Sequence, residues 1–189
     1  VAQPEGEDLE GITAFAPRRD ELGVGKRRSL WKVIGDTPIL TEATRFQMGR
    51  VVEGTGIWAP DSVQVIRDTA YFLAEDGVYS WDANGLKPLS RDKVHAWFTT
   101  DAYFNRALFA SAVSHYNQRY DCYELFLASA GSSVLDRWVS FDIQRQQWLG
   151  PHRTEAFVPT AAGALEDVSG LLTPMVGAAD GHLWAKNQP

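Results

Sequence analysis

The sequence is poor in the residues that build disulfide-linked or metal-held proteins. Its 189 residues include one cysteine, two methionines and four histidines. The single Cys122 excludes an intrachain disulfide framework and any metal site that needs several cysteines. We therefore expect a protein of a reducing or redox-indifferent compartment, with no cofactor.

Long apolar runs are also missing, since none approaches the ~18 to 20 residues that span a bilayer. The first eight residues, VAQPEGED, are neither basic nor apolar, so we expect no signal peptide. The chain does not begin with Met, which indicates a processed or excerpted sequence. Its net charge of −6 argues against general coating of nucleic acid.

What the sequence does contain is a large supply of apolar and aromatic side chains, at 44% and 12% of the residues. This is ample for one domain, or two small ones, with a buried core. Short runs rich in Val, Ile, Tyr, Phe and Trp are bounded by turn residues, which is typical of β-strands. The runs are Ile12–Phe15, Leu22–Gly25, Leu30–Ile34, Val63–Ile66, Ala70–Ala74, Val78–Trp81, Leu108–Ser114, Tyr120–Ala128, Trp138–Ile143, Ala156–Val158, Leu171–Val176 and His182–Ala185.

Alternation within these runs predicts which side chains share a face, and Tyr79 and Trp81 are placed together. One stretch favours a helix of one or two turns, since Ser90 could cap it and Val94, Trp97 and Phe98 have helical spacing. Residues 146–148 are interpreted as a strand end rather than as part of a helix. The sequence therefore predicts an all-β chain with one short helical connector.

The strand runs recur as four similar units, with Asp-Gly turns before the aromatic strands at residues 76–77 and 180–181. We expect an acidic lead-in over residues 1–11, then a single domain over 12–189 with units near 12–44, 57–98, 107–150 and 155–187. Units of about 40–50 residues with three or four strands are typical of β-propeller blades. The prediction is a β-propeller-like array, complete or part of a larger propeller, and the alternative is a β-sandwich.

The first two units also resemble a known group of proteins. The pattern includes Gly-x-x-Ala-Pro-x-Ser-Val, then Phe-Leu-x-x-Asp-Gly-Val-Tyr, then Pro-Leu-Ser, and it covers residues 12–98. It is similar to tailed-bacteriophage virion proteins of the head-to-tail junction and tail, including packaged-DNA stabilisation and tail-nozzle proteins with propeller domains. The stretches that carry the resemblance are Ile12–Phe15, Leu22–Asp36, Gly54–Ile66, Thr69–Asp82 and Leu86–Ser90.

This resemblance implies a non-enzymatic structural subunit at the neck or tail of a virion that is assembled in the host cytoplasm. Its partners would be other virion subunits, in a ring-forming oligomer, with no membrane contact. The alternative is a carbohydrate- or receptor-binding propeller, in which one or two of the seven tryptophans stack on a sugar.

The strongest charge feature is a basic cluster in the first unit. If the second and third strands pair, we expect these side chains to crowd one end of a hairpin and to contact an acidic neighbouring subunit or DNA. A solvated hairpin tip is the simpler interpretation. The candidate contact residues are Arg18, Arg19, Lys26, Arg27 and Arg28, with Lys32 close by.

Catalytic patterns are weak, so we expect no enzyme. Gly23-Val-Gly25-Lys26 lacks the remaining glycine and the hydroxyl residue of a phosphate loop. The histidines fall in different units, without metal-ligand spacing. A glycoside hydrolase, the less favoured alternative, would need two acids close together. Its candidates are Glu75, Asp76, Asp82, Asp136 and Asp180.

Overall fold

The computed structural model describes residues 10–35, 46–154, 157–166, 168, 170 and 172–186. These residues form a mostly β fold of four antiparallel sheets. In each sheet the strands are hydrogen-bonded in chain order, so every sheet is a simple meander. Most of the expected acidic lead-in, residues 1–9, lies outside the described residues.

The first two sheets have four strands each. Sheet 1 consists of β1 (Ala14–Pro17), β2 (Leu22–Gly25), β3 (Ser29–Ile34) and β4 (Gln47–Glu53). Sheet 2 consists of β5 (Gln64–Ile66), β6 (Thr69–Ala74), β7 (Gly77–Asp82) and β8 (Gly85–Pro88). A single 3₁₀ turn, Pro60–Ser62, precedes β5.

The last two sheets are joined to them by a short helical connector. Sheet 3 consists of β9 (Val113–Asn117), β10 (Cys122–Leu127), β11 (Arg137–Asp142) and β12 (Gln147–Arg153). Sheet 4 consists of β13 (Pro159–Glu166), β14 (Leu172–Ala178) and β15 (Leu183–Ala185). The connector holds helix α1 (His95–Thr99) and a 3₁₀ helix (Arg106–Ser111).

The predicted helix is confirmed, but its predicted cap is wrong. Helix α1 has Val94 at its N-cap and no side-chain cap. The Ser90 hydroxyl instead accepts a hydrogen bond of 3.1 Å from the Val78 N–H. A Cβ at Gly77, which has a φ of 145°, would lie 2.0 Å from that hydroxyl. The Ser90 hydroxyl thus bonds strand β7 of sheet 2 and does not cap the helix.

The strand predicted over Leu108–Ser114 is wrong for most of its length. A 3₁₀ helix occupies Arg106–Ser111, and the strand begins only at Val113. The Asn105 side chain accepts the Ala107 N–H at 3.2 Å, so a local side-chain cap outweighs the strand propensity of the apolar run. Sheet 1 also includes β4, which the sequence pattern does not indicate.

Hairpin turns form near both predicted Asp-Gly pairs. Ala74 pairs with Gly77, so the two-residue loop is 75–76 and Gly77 is the first strand residue rather than a turn residue. Near the other pair, the Ala178 N–H bonds the His182 carbonyl at 2.9 Å. This closes a three-residue loop, with Gly181 at a φ of 84°. Both glycines take positive φ, which is costly for other residues.

The sheets pack face to face in chain order. Between sheets 1 and 2, two glycines of β2 make room for large side chains of sheet 2 and of the segment that precedes it. A Cβ at Gly23 would lie 2.5 Å from the Trp81 ring, and one at Gly25 would lie 2.4 Å from Ile57. Tyr79 and Trp81 lie in this interface together, as predicted. The buried residues of this interface are Ala14, Ala16, Leu30, Ile57, Ala70, Phe72, Ala74, Tyr79 and Trp81.

The remaining faces of sheets 2 and 3 also contribute buried residues to the core. The interface between sheets 2 and 3 is the largest, and α1 covers it with Phe98, which is fully buried. Tyr123 stacks on Tyr71 there, with ring centroids 5.7 Å apart. A smaller cluster, which includes Val113, Phe126 and Val176, joins sheet 3 to sheet 4. Sheets 2 and 3 are therefore buried on both faces.

An open cavity of about 470 Å³ lies where the first strands of the sheets approach one another. Its walls include Phe15 and Pro17 of β1, Gln64 of β5, and Ala161 and Ala162 of β13. The first strand of sheet 3, β9, contacts both β5 and β13. The first strands of sheets 1, 2 and 4 thus line this cavity, and β9 lies beside two of them.

Candidate functional site

The predicted basic cluster is divided between two ends of sheet 1. Because β1, β2 and β3 form a meander, consecutive turns lie at opposite ends of the sheet. Arg18 and Arg19 lie in the β1–β2 turn, whereas residues 26–28 form the β2–β3 turn. Lys32 lies 3.5 Å from Glu21, near the Arg18 end. The expectation that these side chains crowd one hairpin end is therefore wrong.

Arg18 joins sheet 1 to sheet 2 and is not a surface contact residue. Its side chain is only 4% exposed and pairs with Glu21. Its Nε donates to the Asp68 carbonyl at 2.8 Å, and its guanidinium lies 4.7 Å from the Trp81 ring centroid. The Asp68 carboxylate also accepts the Arg19 N–H at 2.7 Å, and this bond is the main cause that lowers the Asp68 pKa.

Replacing Arg18 tests this assignment. We expect Arg18→Met to lower the free energy of unfolding by about 2 kcal/mol, because it removes charge-assisted bonds made by a buried side chain. Arg28→Met is the matched control, since the Arg28 side chain is exposed. Urea denaturation of both variants measures the difference, and equal losses would contradict the assignment.

The backbone of the β2–β3 turn contacts the segment between sheets 1 and 2, and the arginine side chains of this turn are exposed. The Lys26 carbonyl accepts the Ile57 N–H at 2.8 Å. A Cβ at Gly56 would lie 2.0 Å from that carbonyl, so the approach requires glycine. The Arg27 guanidinium lies 5.0 Å from the Trp58 ring centroid, and Arg27 and Arg28 are both exposed. This turn carries a small positive patch.

A buried polar cluster, which the sequence analysis missed, connects sheet 3 to the end of sheet 4. Its centre is Glu124 on β10, with a side chain 4% exposed. One carboxylate oxygen contacts the Lys186 ammonium and lies 3.0 Å from His115 Nε2. The other accepts the Asn117 amide at 2.9 Å. The Lys186 ammonium also lies 3.3 Å from the Trp138 ring centroid, so aromatic and ionic contacts hold it together.

Neighbouring charges keep Glu124 ionised although it is buried. Burial alone would raise the pKa of Glu124, but the adjacent His115 and Lys186 outweigh it and lower this pKa to about 2. Burial also lowers the pKa of Lys186, while Glu124 opposes that change. The result is a compensated ion pair that fixes sheet 4 on sheet 3.

The lowered pKa predicts an acid-sensitive contribution to stability. In the unfolded chain Glu124 binds a proton near pH 4.5, whereas in the folded chain it binds a proton only near pH 2. The contribution is therefore complete above pH 4.5 and is lost as the pH falls towards 2. We expect the unfolding free energy of the wild type to fall by about 3 kcal/mol relative to Glu124→Gln across that window. A constant difference from pH 6 to 2 would contradict the assignment.

Four of the five acids considered as hydrolase candidates have structural partners, and the fifth, Glu75, is exposed in the β6–β7 turn. Asp76 accepts the Tyr79 hydroxyl at 2.9 Å, and Asp82 accepts the Asn84 N–H at 2.7 Å. Asp136 accepts the Ser129 N–H at 2.7 Å, and Asp180 accepts the His182 N–H at 3.0 Å. Each of these four carboxylates therefore has a structural role in its turn or loop, which accounts for an acid at that position.

The Cys122 thiol and the potential metal ligands were the remaining candidates for reactive groups in the described part of the chain. The Cys122 thiol is buried, and burial raises its pKa, so it stays protonated. Its sulfur donates to the Tyr120 carbonyl at 3.2 Å. Within residues 10–35, 46–154 and the described parts of 157–186, no group of three His, Cys, Asp or Glu residues could hold a metal ion.

The outward faces of the two terminal sheets are largely apolar and partly exposed. In sheet 1, two cross-strand rows point away from sheet 2. They are Phe15–Val24–Trp31–Arg50 and Pro17–Leu22–Val33–Met48. Phe15 is 55% exposed and Met48 is 59% exposed. We call this surface the large-residue face.

Sheet 4 presents a face of different composition. Its outward rows are Ala161–Gly177–Leu183, Gly163–Met175–Ala185 and Leu165–Thr173. These residues carry no charge and frame a shallow groove of about 230 Å³. We call this surface the small-residue face. Such faces are the usual sites of protein contact on soluble domains.

The chain has no match to a protein-family model, and it has no significant match among curated proteins. No described helix is long and apolar enough to cross a membrane.

Proposed function

We propose that the chain is an arc of four β-propeller blades and serves as a non-enzymatic structural subunit of a tailed-phage virion, at the neck or tail. Three features support the blade interpretation. Each sheet is a meander, the sheets stack in chain order, and the first strands of sheets 1, 2 and 4 line one cavity. A β-sandwich has two layers that each bury one face, whereas sheets 2 and 3 bury both faces.

The observation that carries the structural role is the pair of exposed apolar faces on rigid sheets. Preformed faces dock with little loss of conformational freedom, which suits an assembly part rather than an enzyme. The resemblance of residues 12–98 to head-to-tail junction and tail proteins supports the virion setting. Its partners would be neighbouring virion subunits.

Direct DNA contact has weaker support. Arg18 is buried in an internal ion pair, and the exposed arginines lie at two ends of sheet 1. A DNA track would need several cations along one surface. The exposed Arg27 and Arg28 form a patch better suited to an acidic protein neighbour.

The carbohydrate-binding alternative also has little support from four of the seven tryptophans. Arg50 lies 4.8 Å from the Trp31 ring centroid, and His152 lies 4.3 Å from that of Trp138. Trp58 and Trp81 are likewise covered by arginines. A cation or an imidazole therefore already lies against each of these four rings and would compete with a sugar.

Quantitative mass spectrometry of purified particles tests the virion role. In particles of the phage that encodes this chain, we expect the chain in a fixed ratio to the major capsid protein. A nonsense mutation in its gene should give particles with a defective neck or tail. Recovery of the chain only from the soluble host fraction would overturn the proposal.

A surface variant sharpens this test. Leu183→Asp places a charge on the small-residue face at a side chain that is 61% exposed, so we expect folded protein that is not incorporated. Tyr120→Asp is the control, since Tyr120 is 55% exposed in the β9–β10 turn, outside both faces. Equal incorporation of the two variants would count against docking through the terminal faces.

A further inference from the structure

We infer that the β5–β6 turn, which consists of Arg67 and Asp68, is a clamp that couples sheet 1 to sheet 3 across sheet 2. Through this clamp, loosening of one junction between sheets is transmitted to the other. The inference concerns the stacked sheets alone and does not rest on the virion role. The turn stands out by its backbone, since Arg67 has a φ of 48° and Asp68 a φ of 67°.

The length of the loop explains this backbone but not the residues that adopt it. Ile66 pairs with Thr69, so the loop has two residues, and tight hairpins of this kind favour positive φ at both positions. Asn-Gly is the usual choice, because Asn tolerates the left-handed region and Gly has no steric penalty there. An arginine and an aspartate in this conformation cost stability and persist where other contacts hold them.

The two other hairpins of sheet 2 use glycine for the positive φ. Gly77 follows the loop between β6 and β7 with a φ of 145°. Gly85 follows the loop between β7 and β8 with a φ of 112°. Turn formation alone therefore does not account for Arg67 and Asp68, and the contacts of the two residues do.

Asp68 supplies the contacts to sheet 1. Its carboxylate accepts the Arg19 N–H at 2.7 Å and lies 3.4 Å from the Arg18 guanidinium. Its carbonyl accepts the Arg18 Nε–H at 2.8 Å. The backbone and the side chain of one residue thus both hold the β1–β2 turn.

Arg67 supplies the contacts to sheet 3. Its guanidinium donates to the Asp121 carboxylate at 2.6 Å and to the Tyr116 hydroxyl at 3.3 Å. The same carboxylate oxygen accepts the Tyr116 hydroxyl at 2.8 Å. Asp121 has a φ of 53°, and its carbonyl accepts the Ile143 N–H at 3.1 Å. The acceptor for Arg67 is therefore itself fixed within sheet 3.

Adjacent residues of one short loop thus bond to the sheets on opposite sides of sheet 2. Strand β5, which leads into the loop, has only three residues and contacts both β1 and β9. A shift of the loop that lengthens one set of bonds must also move the other set, because no residue lies between them to absorb it. Among the described residues, four other than glycine have positive φ, and Arg67, Asp68 and Asp121 are three of these.

Glycine substitutions test whether the side chains of the turn hold the sheets. Replacing a left-handed residue with glycine removes a backbone cost, so it stabilises a turn whose side chain has no other role. We expect the opposite here, with Arg67→Gly and Asp68→Gly each lowering Tm by about 2 °C or more. A higher Tm in either variant would overturn the inference.

Gln146→Gly is the matched control for these substitutions. Gln146 also has a positive φ, of 54°. Its contact with the segment after sheet 2 is made by its backbone carbonyl, which accepts Lys93 Nζ at 2.8 Å. Because glycine keeps that carbonyl, Tm should stay the same or rise. A loss equal to that of Asp68→Gly would contradict the role given to the side chains of the clamp.

Amide hydrogen exchange tests the coupling itself. Asp121→Gly removes the acceptor in sheet 3, suits the φ of 53° and changes no residue of sheet 1. We nevertheless expect the amides of β1 and β2 to exchange about 2- to 30-fold faster, whereas those of β13 in sheet 4 keep their rates. Arg145→Met is the control, since it breaks an ion pair with Asp142, at 2.8 Å, that stays within one turn of sheet 3. It should leave exchange in sheet 1 unchanged.

Two results of this experiment would overturn the inference. Unchanged exchange of β1 and β2 in Asp121→Gly would show that the two junctions act independently. Equal acceleration in β1, β2 and β13 would show a general loss of stability without a specific path through the β5–β6 turn.

Discussion

Replacing Glu124 with Ala is expected to lower the free energy of unfolding by about 3–5 kcal/mol. Glu124 lies between the Lys186 ammonium, His115 and Asn117, all of which lose their shared partner in the variant. Burial already lowers the pKa of Lys186, so the remaining ammonium would be buried without compensation. Urea denaturation at neutral pH measures the loss.

A surface ion pair provides the control for this substitution. Arg50 and Glu53 are 2.6 Å apart, with side chains 41% and 69% exposed. Because solvent screens such a pair, Glu53→Ala should cost no more than about 1 kcal/mol. A loss below 1 kcal/mol for Glu124→Ala, or similar losses for both variants, would show that the buried cluster does not fix sheet 4 on sheet 3.

Phe72→Ala is expected to cost about 3–5 kcal/mol, through lost burial and the cavity left behind. Phe72 is fully buried between sheets 1 and 2, where its ring stacks on Tyr79 with centroids 6.3 Å apart. Sheet 1 packs on this face through small residues, which cannot move in to fill the space. Thermal and chemical denaturation would both report the loss.

Phe15→Ala is the matched control in the neighbouring sheet. Phe15 is also a strand phenylalanine, but it points away from sheet 2 and is 55% exposed. For a monomer we expect a loss below about 1 kcal/mol. If Phe15→Ala were the more destabilising of the two under monomeric conditions, the assignment of inward and outward faces in sheet 1 would be incorrect.

The strand pattern was predictable from the sequence because short-range chemistry determines it. The alternation that pairs Tyr79 with Trp81 places both on the face towards sheet 1. The helical spacing of Val94, Trp97 and Phe98 likewise places them against one core cluster. The apolar run at Leu108–Ser114 was misjudged because a single Asn105 cap determines its backbone.

The functional surfaces were harder to predict because they depend on connectivity across sheets. A run of basic residues on one short hairpin pair suggests a single patch, yet a meander places its successive turns at opposite ends. The partners of Arg18 and Glu124 lie far away in sequence, at Asp68 and Lys186. No local spacing identifies such contacts before the sheets are stacked.

Two glycines also show that packing across sheets cannot be predicted from the sequence. The sequence shows Gly23 and Gly163 as similar residues within apolar runs. Only the packing reveals that Gly23 faces the Trp81 ring, whereas Gly163 faces open space. The first glycine therefore explains an internal interface, which the sequence alone does not identify.

Amide hydrogen exchange tests the stacking order of the four sheets most directly. Sheets 2 and 3 are covered on both faces, so we expect the amides of β6 and β10 to exchange only through global unfolding. The amides of β13, in a terminal sheet, should exchange sooner, through local opening. Slower exchange in β13 than in β6 and β10, or equal protection of all four sheets, would contradict an array in which the inner sheets form the core.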